Sequence, residues 1–352
     1  MKKHFLLALC SCALLIGCAH TYPSTSTTLP NLNNKVEIEN TAAAKEGFDS
    51  LLSSYTYPFE VKYFEFESQN QKMKMAYMDI PSGKNTGKTI VLFHGKNFSG
   101  AYFHELILGL NQEGYRVIIP DQIGFGKSSK PASYQYSFQT LASNTKLLLD
   151  SLAVTNHFLL GHSMGGMLAT RYTLMFPQGV KKLFLVNPIG LEDYKILTSY
   201  KPIDELYKNE LQQTPESIKN YQMAHYYDRK WKSDYDRWTE IPIGWLKGPD
   251  KELIAWNAAL TADMIFTQPV VYEFSQLQTP TVLIIGNRDT TAIGKAWATP
   301  EKQRLMGDYK VLGKKTAQAI QGSKLYELPG LGHLPFIENF ELFWKNLVKE
   351  LR

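Results

Sequence analysis

The sequence predicts an α/β fold in which a mostly parallel sheet carries helices on both faces. Continuous apolar runs, such as residues 89–93 and 281–285, are typical of strands that are buried on both faces. Amphipathic stretches, such as residues 138–152 and 167–176, lie between these runs and have the length of helices. Strands that alternate with helices favour parallel pairing, because each helix returns the chain to the same edge of the sheet.

The predicted strands follow one another from about residue 59 to the end of the chain. The first two runs alternate apolar and polar residues, and the later runs are mostly apolar. The predicted strands are residues 59–67, 72–80, 89–93, 115–119, 158–161, 183–186, 281–285 and 324–328. This order leaves one long interval without strands, which lies between the sixth and the seventh strand.

That interval, residues 190–265, is predicted to be a mostly helical insertion. It is rich in tyrosine, tryptophan, lysine and aspartate, and it contains no strand-like run. Aromatic side chains supply large apolar surfaces that can line a binding cavity, and they can equally form the core of the insertion itself. We expect the insertion to fold over the carboxyl edge of the sheet as a lid.

The chain begins with the features of a bacterial lipoprotein signal peptide. Two lysines precede an apolar stretch, residues 5–16, that is too short to span a bilayer comfortably. The stretch ends in L-I-G-C, which resembles the lipobox in which the cysteine is lipidated and becomes the first residue. This resemblance implies lipidation of Cys18. The alternative is an ordinary cleaved signal in which Cys18 is incidental.

These features divide the chain into a signal peptide (1–17), a lipid-anchored flexible tether (18–45) and a folded domain (46–352). The tether is rich in serine, threonine, proline and asparagine and has no apolar period. Ala19, rather than an aspartate, follows the cysteine, which resembles lipoproteins sorted to the outer membrane. We therefore expect an exported protein that is attached to the bacterial cell envelope through a lipid anchor.

The composition argues against several classes of function. The formal net charge of the 352-residue chain is +5, and two of these charges lie in the predicted signal peptide. The remaining charge is too weak and too dispersed to predict nucleic-acid binding. The cysteines, Cys10, Cys12 and Cys18, all precede the folded domain, which excludes a disulfide or a cysteine nucleophile there. Without a metal-ligand spacing or a dinucleotide motif, we expect neither metal nor cofactor.

The segment Gly161-His162-Ser163-Met164-Gly165 follows a predicted strand and precedes a predicted helix. In that setting G-x-S-x-G is typical of a nucleophile elbow, since the glycines keep Cβ atoms out of a tight strand-to-helix turn. The serine Oγ would then stand at the sheet edge, beside a helix N-terminus whose free N–H groups favour a developing anion. The motif predicts a nucleophilic serine.

With this motif, the order of the candidate residues resembles that of the serine α/β-hydrolase superfamily, in which an acid and then a histidine follow the nucleophile. Asp289 ends the segment G-N-R-D directly after a predicted strand, and His333 lies in G-H-L-P before the last predicted helix. The resemblance covers the chain from about residue 59 onward. It implies an eight-stranded-type sheet with a helical cap after the sixth strand, and a catalytic triad of Ser163, Asp289 and His333.

The assignment of Asp289 has an alternative, because an aspartate after a strand can simply form a turn. The stretch that follows it, residues 290–322, is also longer than the superfamily usually needs for one helix. We expect this stretch to add a flap beside the site.

The resemblance also implies an oxyanion hole made of the backbone N–H groups of Lys96 and Met164. Lys96 lies in the loop after the third predicted strand, next to the superfamily's His-Gly pair, and Met164 follows the nucleophile. The histidine of that pair, His94, is expected to be structural, as is Asp121 in a D-x-x-G-x-G-x-S loop. The elbow is expected to turn His162 away from the nucleophile.

Serine at the elbow argues against the branches of the superfamily that form a covalent ester on aspartate, such as haloalkane dehalogenases. We expect a carboxylesterase that acts through an acyl-enzyme on a small-molecule ester with an apolar acyl or aryl group. The alternatives are a lipase, an amide or C–C bond hydrolase of the same fold, and a non-catalytic surface-binding lipoprotein.

Overall fold

The computed structural model describes residues 46–84 and 86–351 and contains an eight-stranded sheet. The strands are β1 (Val61–Ser68), β2 (Gln71–Ile80), β3 (Lys88–Phe93), β4 (Tyr115–Pro120), β5 (His157–His162), β6 (Val180–Val186), β7 (Thr281–Gly286) and β8 (Lys324–Leu328). Their order across the sheet is β1-β2-β4-β3-β5-β6-β7-β8. Every run that the sequence predicts as a strand is a strand, and the ends differ by three residues or fewer.

The prediction of a mostly parallel sheet is confirmed. The strands from β3 to β8 pair in parallel, whereas β2 pairs antiparallel with both β1 and β4. The carboxyl ends of β3, β5, β7 and β8 therefore meet at one edge of the sheet. The loops that follow these four strands carry Lys96, Ser163, Asp289 and His333 respectively. Ligand sites of open α/β sheets are built at this edge.

The helices cover both faces of the sheet and form the insertion. They are α1 (His104–Gln112), α2 (Phe138–Ser151), α3 (Met164–Met175), α4 (Tyr194–Leu197), α5 (Ile203–Leu211), α6 (Pro215–His225), α7 (Glu240–Lys247), α8 (Lys251–Thr267), α9 (Pro300–Leu305), α10 (Tyr309–Ala319), α11 (Pro335–Glu338) and α12 (Phe340–Glu350). Short 3₁₀ turns are Gly100–Phe103, Pro177–Gly179, Ser233–Trp238, Val271–Gln276 and Lys295–Trp297.

The core lies on both faces of the sheet, because successive residues of a strand point to opposite sides. Val91 of β3 belongs to the core on the face covered by α2 and α3. The neighbouring Ile90 belongs to the core on the other face, which α1 and α12 cover. Both side chains are fully buried, which explains why these strands read as continuous apolar runs.

The interval between β6 and β7 is helical, from α4 to α8, and none of its residues is in a strand. The helical insertion predicted after the sixth strand is therefore confirmed. It continues past residue 265, because α8 ends at Thr267 and a 3₁₀ turn, Val271–Gln276, precedes β7. Its function as a lid remains a prediction.

The first described residues of the chain pack against the insertion. The Phe48 N–H donates to the Gly244 carbonyl of α7 at 3.0 Å, and the indole N–H of Trp245 donates to the Asp49 carbonyl at 3.0 Å. The predicted signal peptide, the tether and Cys18 lie outside the described residues. Among the helices of the described residues, none has the length and apolarity needed to cross a membrane.

The long stretch after Asp289 consists of a 3₁₀ turn, α9 and α10. Helix α10 packs on β7 and β8 and connects these two parallel strands. The residues before it reach the insertion, since the indole N–H of Trp297 donates to the Ser199 carbonyl at 3.2 Å. The stretch is long because it both connects two strands and contacts the insertion, and its role as a flap remains a prediction.

Candidate active site

Ser163 lies at a strained point between β5 and α3. Its backbone has φ 57° and ψ −123°, a region that a residue with a side chain rarely adopts. The two flanking glycines allow close backbone contacts. A Cβ on Gly161 would lie 2.2 Å from the Gly165 carbonyl oxygen, and a Cβ on Gly165 would lie 2.2 Å from the Phe93 carbonyl oxygen. This geometry is that of a nucleophile elbow.

The structure joins the three residues predicted as a triad through hydrogen bonds. The Nε2 atom of His333 lies 2.9 Å from the Oγ atom of Ser163. The Nδ1 atom of the same ring lies 2.7 Å from the Oδ2 atom of Asp289. All three side chains are buried, with relative exposures of 6% for Ser163 and 1% for the other two residues. This arrangement lets an imidazole accept the serine proton while a carboxylate orients the ring.

Asp289 is oriented by two further donors. The Asn187 side-chain amide donates to Oδ2 at 2.9 Å, and the Thr291 backbone N–H donates to Oδ1 at 2.8 Å. Asn187 also binds the end of β7, because the Gly286 N–H donates to its Oδ1 at 2.8 Å. The sequence reasoning missed Asn187, although its position directly after β6 was a usable signal. It fixes the carboxylate relative to the neighbouring strand.

The loop after β3 lies against the elbow serine. A Cβ on Gly95 would be 3.1 Å from Ser163 Cβ and 3.5 Å from its Oγ. Lys96 is the next residue along this loop, and Met164 begins α3. The first N–H groups of a helix have no intrahelical acceptor, so the Met164 N–H is free of the helix ladder. Of the two predicted oxyanion-hole residues, Met164 thus follows the serine in the chain, and Lys96 follows a glycine that lies against the serine.

A family model described as alpha/beta hydrolase fold matches residues 88–340. The chain belongs to the alpha/beta hydrolase family. A crystal structure of a probable hydrolytic enzyme from Pseudomonas aeruginosa PAO1 resembles this chain with a TM-score of 0.86 and 48% identity, over 88% of this chain and 99% of that one.

The names of the curated relatives of this chain state different activities. Lipase 1 of Psychrobacter immobilis is 35% identical over 33% of this chain and 36% of the relative. A cis-3-alkyl-4-alkyloxetan-2-one decarboxylase of Xanthomonas campestris is 33% identical over 32% of this chain and 39% of the relative. The chain thus spans less than half the length of the curated relatives it matches. Membership of the family therefore does not by itself fix the reaction.

The other histidines near the candidate site make structural hydrogen bonds. His162 Nε2 lies 2.7 Å from the His333 carbonyl oxygen, and its Nδ1 lies 2.8 Å from the Tyr102 hydroxyl. Burial lowers the pKa of His162 well below its usual value, so this ring is neutral. His94 Nε2 accepts the Gln122 N–H at 3.0 Å. The His162 ring thus supports the loop of His333, and the His94 ring supports the loop that begins at Asp121.

Asp121 is also placed in a structural role. Its carboxylate accepts the Tyr57 hydroxyl at 2.7 Å and the Gly100 N–H at 2.7 Å. It also accepts the Lys127 N–H at 2.8 Å. These bonds tie the N-terminal segment to two loops near the sheet edge.

An ion pair between Arg288 and Glu338 fastens the acid loop to the histidine loop. The Glu338 carboxylate pairs with the Arg288 guanidinium and accepts the Gly332 N–H at 2.7 Å. Arg288 Nε donates to the Gly330 carbonyl at 2.9 Å. Burial raises the pKa of Glu338 to about 7, against the opposing effect of the guanidinium. Arg288 precedes Asp289, so the pair holds both sides of the His333–Asp289 contact.

The insertion contacts the residues of the candidate site. The ring of Tyr226, at the end of α6, stacks on the His333 ring with 5.0 Å between centroids and 20° between planes. The Tyr226 hydroxyl accepts the side-chain amide of Asn97 at 3.0 Å. Tyr226 is 2% exposed. Tyr226 lies within the insertion that the sequence predicts, but no sequence pattern indicated that it would lie next to His333.

Among the described residues there is no group of three or more histidine, cysteine, aspartate or glutamate side chains that could hold a metal ion.

Proposed function

We propose that the protein is a serine hydrolase that cleaves carboxylic esters through an acyl-enzyme intermediate. The observation that carries this proposal is the continuous path of hydrogen bonds from Ser163 Oγ through His333 to Asp289, with distances of 2.9 Å and 2.7 Å. The strained backbone at the serine supports it, because strain of this kind is kept where it serves a mechanism. A surface protein that only binds a ligand has no need of it.

In the acylation step, Ser163 Oγ attacks the ester carbonyl carbon while its proton passes to His333 Nε2. Asp289 holds the ring in the required orientation and stabilises the imidazolium. The negative charge that develops on the carbonyl oxygen would be bound by the N–H groups of Lys96 and Met164. Each preorganised donor of this kind contributes about 3 kcal/mol to transition-state stabilisation.

The intermediate collapses when the C–O bond to the alcohol breaks, and His333 returns its proton to the leaving oxygen. A water molecule then attacks the acyl-serine ester while His333 takes one of its protons. The carboxylic acid leaves and Ser163 Oγ recovers its proton. The cycle needs no group other than the triad, the two backbone donors and water.

Aromatic residues around the site support an apolar acyl or aryl group in the substrate. Phe98 follows the proposed oxyanion residue by two positions, and its ring lies 6.0 Å from that of Tyr226. Tyr221 contacts Tyr226 edge-on at 5.5 Å and is 40% exposed. Such rings offer apolar surface beside a reacting centre. We propose that the insertion acts as a lid over this centre.

A lipase is the second candidate, and the relative named Lipase 1 supports it. An anchor at Cys18 would place the enzyme at a membrane and so near long-chain esters. We propose this lipid anchor and an envelope location from the lipobox resemblance alone. Replacement of Cys18 by alanine should then release the protein from the membrane fraction, and a variant that stays tightly bound would contradict the anchor.

The proposed activity is tested with p-nitrophenyl esters from acetate to palmitate, and with a p-nitroanilide as the amide control. A carboxylesterase should prefer short or medium chains in solution. A lipase should prefer long chains and gain rate when the ester forms an interface. Turnover of the anilide but not of the esters, or turnover that survives Ser163→Ala, would contradict the proposal.

A further inference from the structure

Tyr226 connects the insertion to two separate parts of the catalytic machinery. Its ring lies over the imidazole of His333, nearly parallel to it. Its hydroxyl binds the side chain of Asn97, which directly follows Lys96. Its carbonyl oxygen lies 3.4 Å from Nη2 of Arg288, as the acceptor of a hydrogen bond. The reaction proposed above gives the Tyr226 side chain no role.

The ring contact bears on the orientation of the histidine. An imidazole that transfers protons must keep Nε2 towards the serine and Nδ1 towards the carboxylate. Two hydrogen bonds in the plane of the ring fix these directions, but they leave the face of the ring unsupported. The stacked tyrosine covers that face at 5.0 Å and keeps water from it.

The hydroxyl contact bears on the oxyanion loop. The loop from Gly95 to Phe98 is held internally by one backbone bond, from the Phe98 N–H to the Gly95 carbonyl at 3.2 Å. The bond from Asn97 to Tyr226 holds its outer side. The ammonium of Lys96 adds a weaker contact to the insertion, because it lies 3.6 Å from a carboxylate oxygen of Glu210 on α5.

The hydroxyl remains a neutral hydrogen-bonding group in the range where esterases are assayed. Burial raises the pKa of Tyr226 well above its usual value. The Asn97 amide donates to it, so Asn97→Ala removes this bond and leaves the other bond of the hydroxyl, which joins it to Tyr221. Asn97 can therefore be used to test what the tyrosine hydroxyl does.

We propose that Tyr226 is a positioning residue through which the insertion holds both the His333 ring and the loop that carries the Lys96 N–H. This inference rests on the proposed esterase function. The hydroxyl holds the oxyanion loop in position, and the ring holds the imidazole of His333 in position. The two parts of this side chain therefore act on different parts of the reaction, which are the binding of the oxyanion and the transfer of the proton.

The experiment compares Tyr226→Phe with Tyr227→Phe in the full chain. Tyr227 is the adjacent residue and is also 2% exposed, but its hydroxyl has no hydrogen-bond partner among the described residues. We expect Tyr226→Phe to lower kcat about tenfold with little change in KM, since a loosened oxyanion donor affects the transition state more than the ground state. Tyr227→Phe should leave kcat unchanged.

A double-mutant cycle with Asn97→Ala identifies the bond itself. If the hydroxyl acts through Asn97, each single variant should lose about the same activity and the double variant no more than either. Tyr226→Leu, which also removes the ring, should change the pH profile of kcat, whereas Tyr226→Phe should leave the shape of that profile unchanged. Thermal unfolding of each variant separates loss of folding from loss of positioning.

Equal kcat values for Tyr226→Phe and Tyr227→Phe would overturn the proposal, and so would additive losses in the cycle. The same assay includes Ser163→Ala. If that variant keeps the activity, the proposed function fails whatever the tyrosine variants do. If Ser163→Ala loses the activity while Tyr226→Phe and Tyr227→Phe have equal kcat values, only the inference on Tyr226 fails.

Discussion

The sheet edge and the insertion contribute to one site, but they are connected to it by different kinds of contact. At the sheet edge the chain passes so close to itself that a Cβ on Gly165 would lie 2.2 Å from a backbone oxygen of β3. The insertion reaches the site mainly through side chains, as in the bond of 3.0 Å between Asn97 and Tyr226, and through one backbone carbonyl, that of Tyr226, which accepts from Arg288. Backbone contacts cannot adjust without moving a strand, whereas side-chain contacts can be lost singly.

This difference predicts two kinds of effect on activity. In the proposed reaction the sheet edge supplies the atoms that react, so changes there should remove activity. The proposed role of the insertion is to support the orientation of these atoms, so changes there should reduce the rate and leave the reaction intact. The following substitutions test that division.

The largest effect is expected at the serine itself. Ser163→Ala removes the proposed nucleophile and should lower kcat by about 10⁴-fold or more, because the remaining triad residues have no partner to act on. The thermal midpoint should not fall, since alanine fits the same space. Ser151→Ala, which removes a hydroxyl that bonds only within α2 in the described structure, serves as the control. A Ser163→Ala enzyme that retains a tenth of the activity would contradict the division.

A smaller but still large effect is expected at the elbow glycine. Gly165→Ala must displace either the start of α3 or the end of β3, because the new Cβ meets the Phe93 carbonyl. A shift of about 1 Å at a reacting centre costs about 100-fold in rate. The control is Gly83→Ala, since a Cβ there meets no atom within 4 Å. The check is a measurement of kcat for both variants. If Gly165→Ala keeps the kcat of the wild type, as Gly83→Ala should, the elbow tolerates movement and the expectation is wrong.

An intermediate effect is expected where the two loops of the triad are fastened together. Arg288→Met should lower kcat about tenfold, because the His333 loop loses its guanidinium contacts while the reacting atoms stay in place. Arg171→Met breaks a comparable pair with Glu273, which lies between α3 and the segment after α8. Both variants should unfold at lower temperature, and only the first should lose kcat. Equal kcat values would assign the Arg288 pair to stability alone.

The smallest effect on activity is expected at a core histidine that takes no part in the reaction. Burial lowers the pKa of His157 at the start of β5 to about 4, and neither ring nitrogen has a partner among the described residues. The unfolded chain, with a pKa near 6.5, therefore binds the proton first as the pH falls. Stability from this group is complete above about pH 6.5 and is lost as the pH falls towards 4.

At pH 5 this histidine should reduce the free energy of unfolding by about 2 kcal/mol relative to neutral pH. His157→Phe should therefore lose less stability than the wild type between pH 7 and pH 5 in thermal unfolding, with kcat at neutral pH unchanged. An identical pH dependence in both proteins would place the acid sensitivity elsewhere.

The sequence was most informative where a short segment contains both the end of a strand and a candidate site residue. Ser163, Asp289 and His333 each lie within five positions of a strand end and near a glycine, and the carboxyl edge of a parallel sheet brings the loops after its strands together. The helical nature of the insertion followed from the lack of strand-like runs.

The sequence was uninformative about contacts between distant segments. Asn187 and the carboxylate it binds are 102 positions apart, and Asn97 and Tyr226 are 129 positions apart. The charges of Arg288 and Glu338 look like ordinary surface residues until the fold brings their loops together. Such pairs depend on packing between elements, which local patterns of hydrophobicity and turn residues do not encode.

The measurement that tests the central claim most directly is labelling with a fluorophosphonate, followed by peptide mass spectrometry to locate the adduct. The probe reacts with a serine only when a neighbouring base activates its hydroxyl. The geometry of the triad predicts a single adduct on Ser163, slowed strongly in His333→Gln and absent in Ser163→Ala. A folded protein that carries no adduct, or carries it on another residue, would contradict the claim that this serine is the nucleophile.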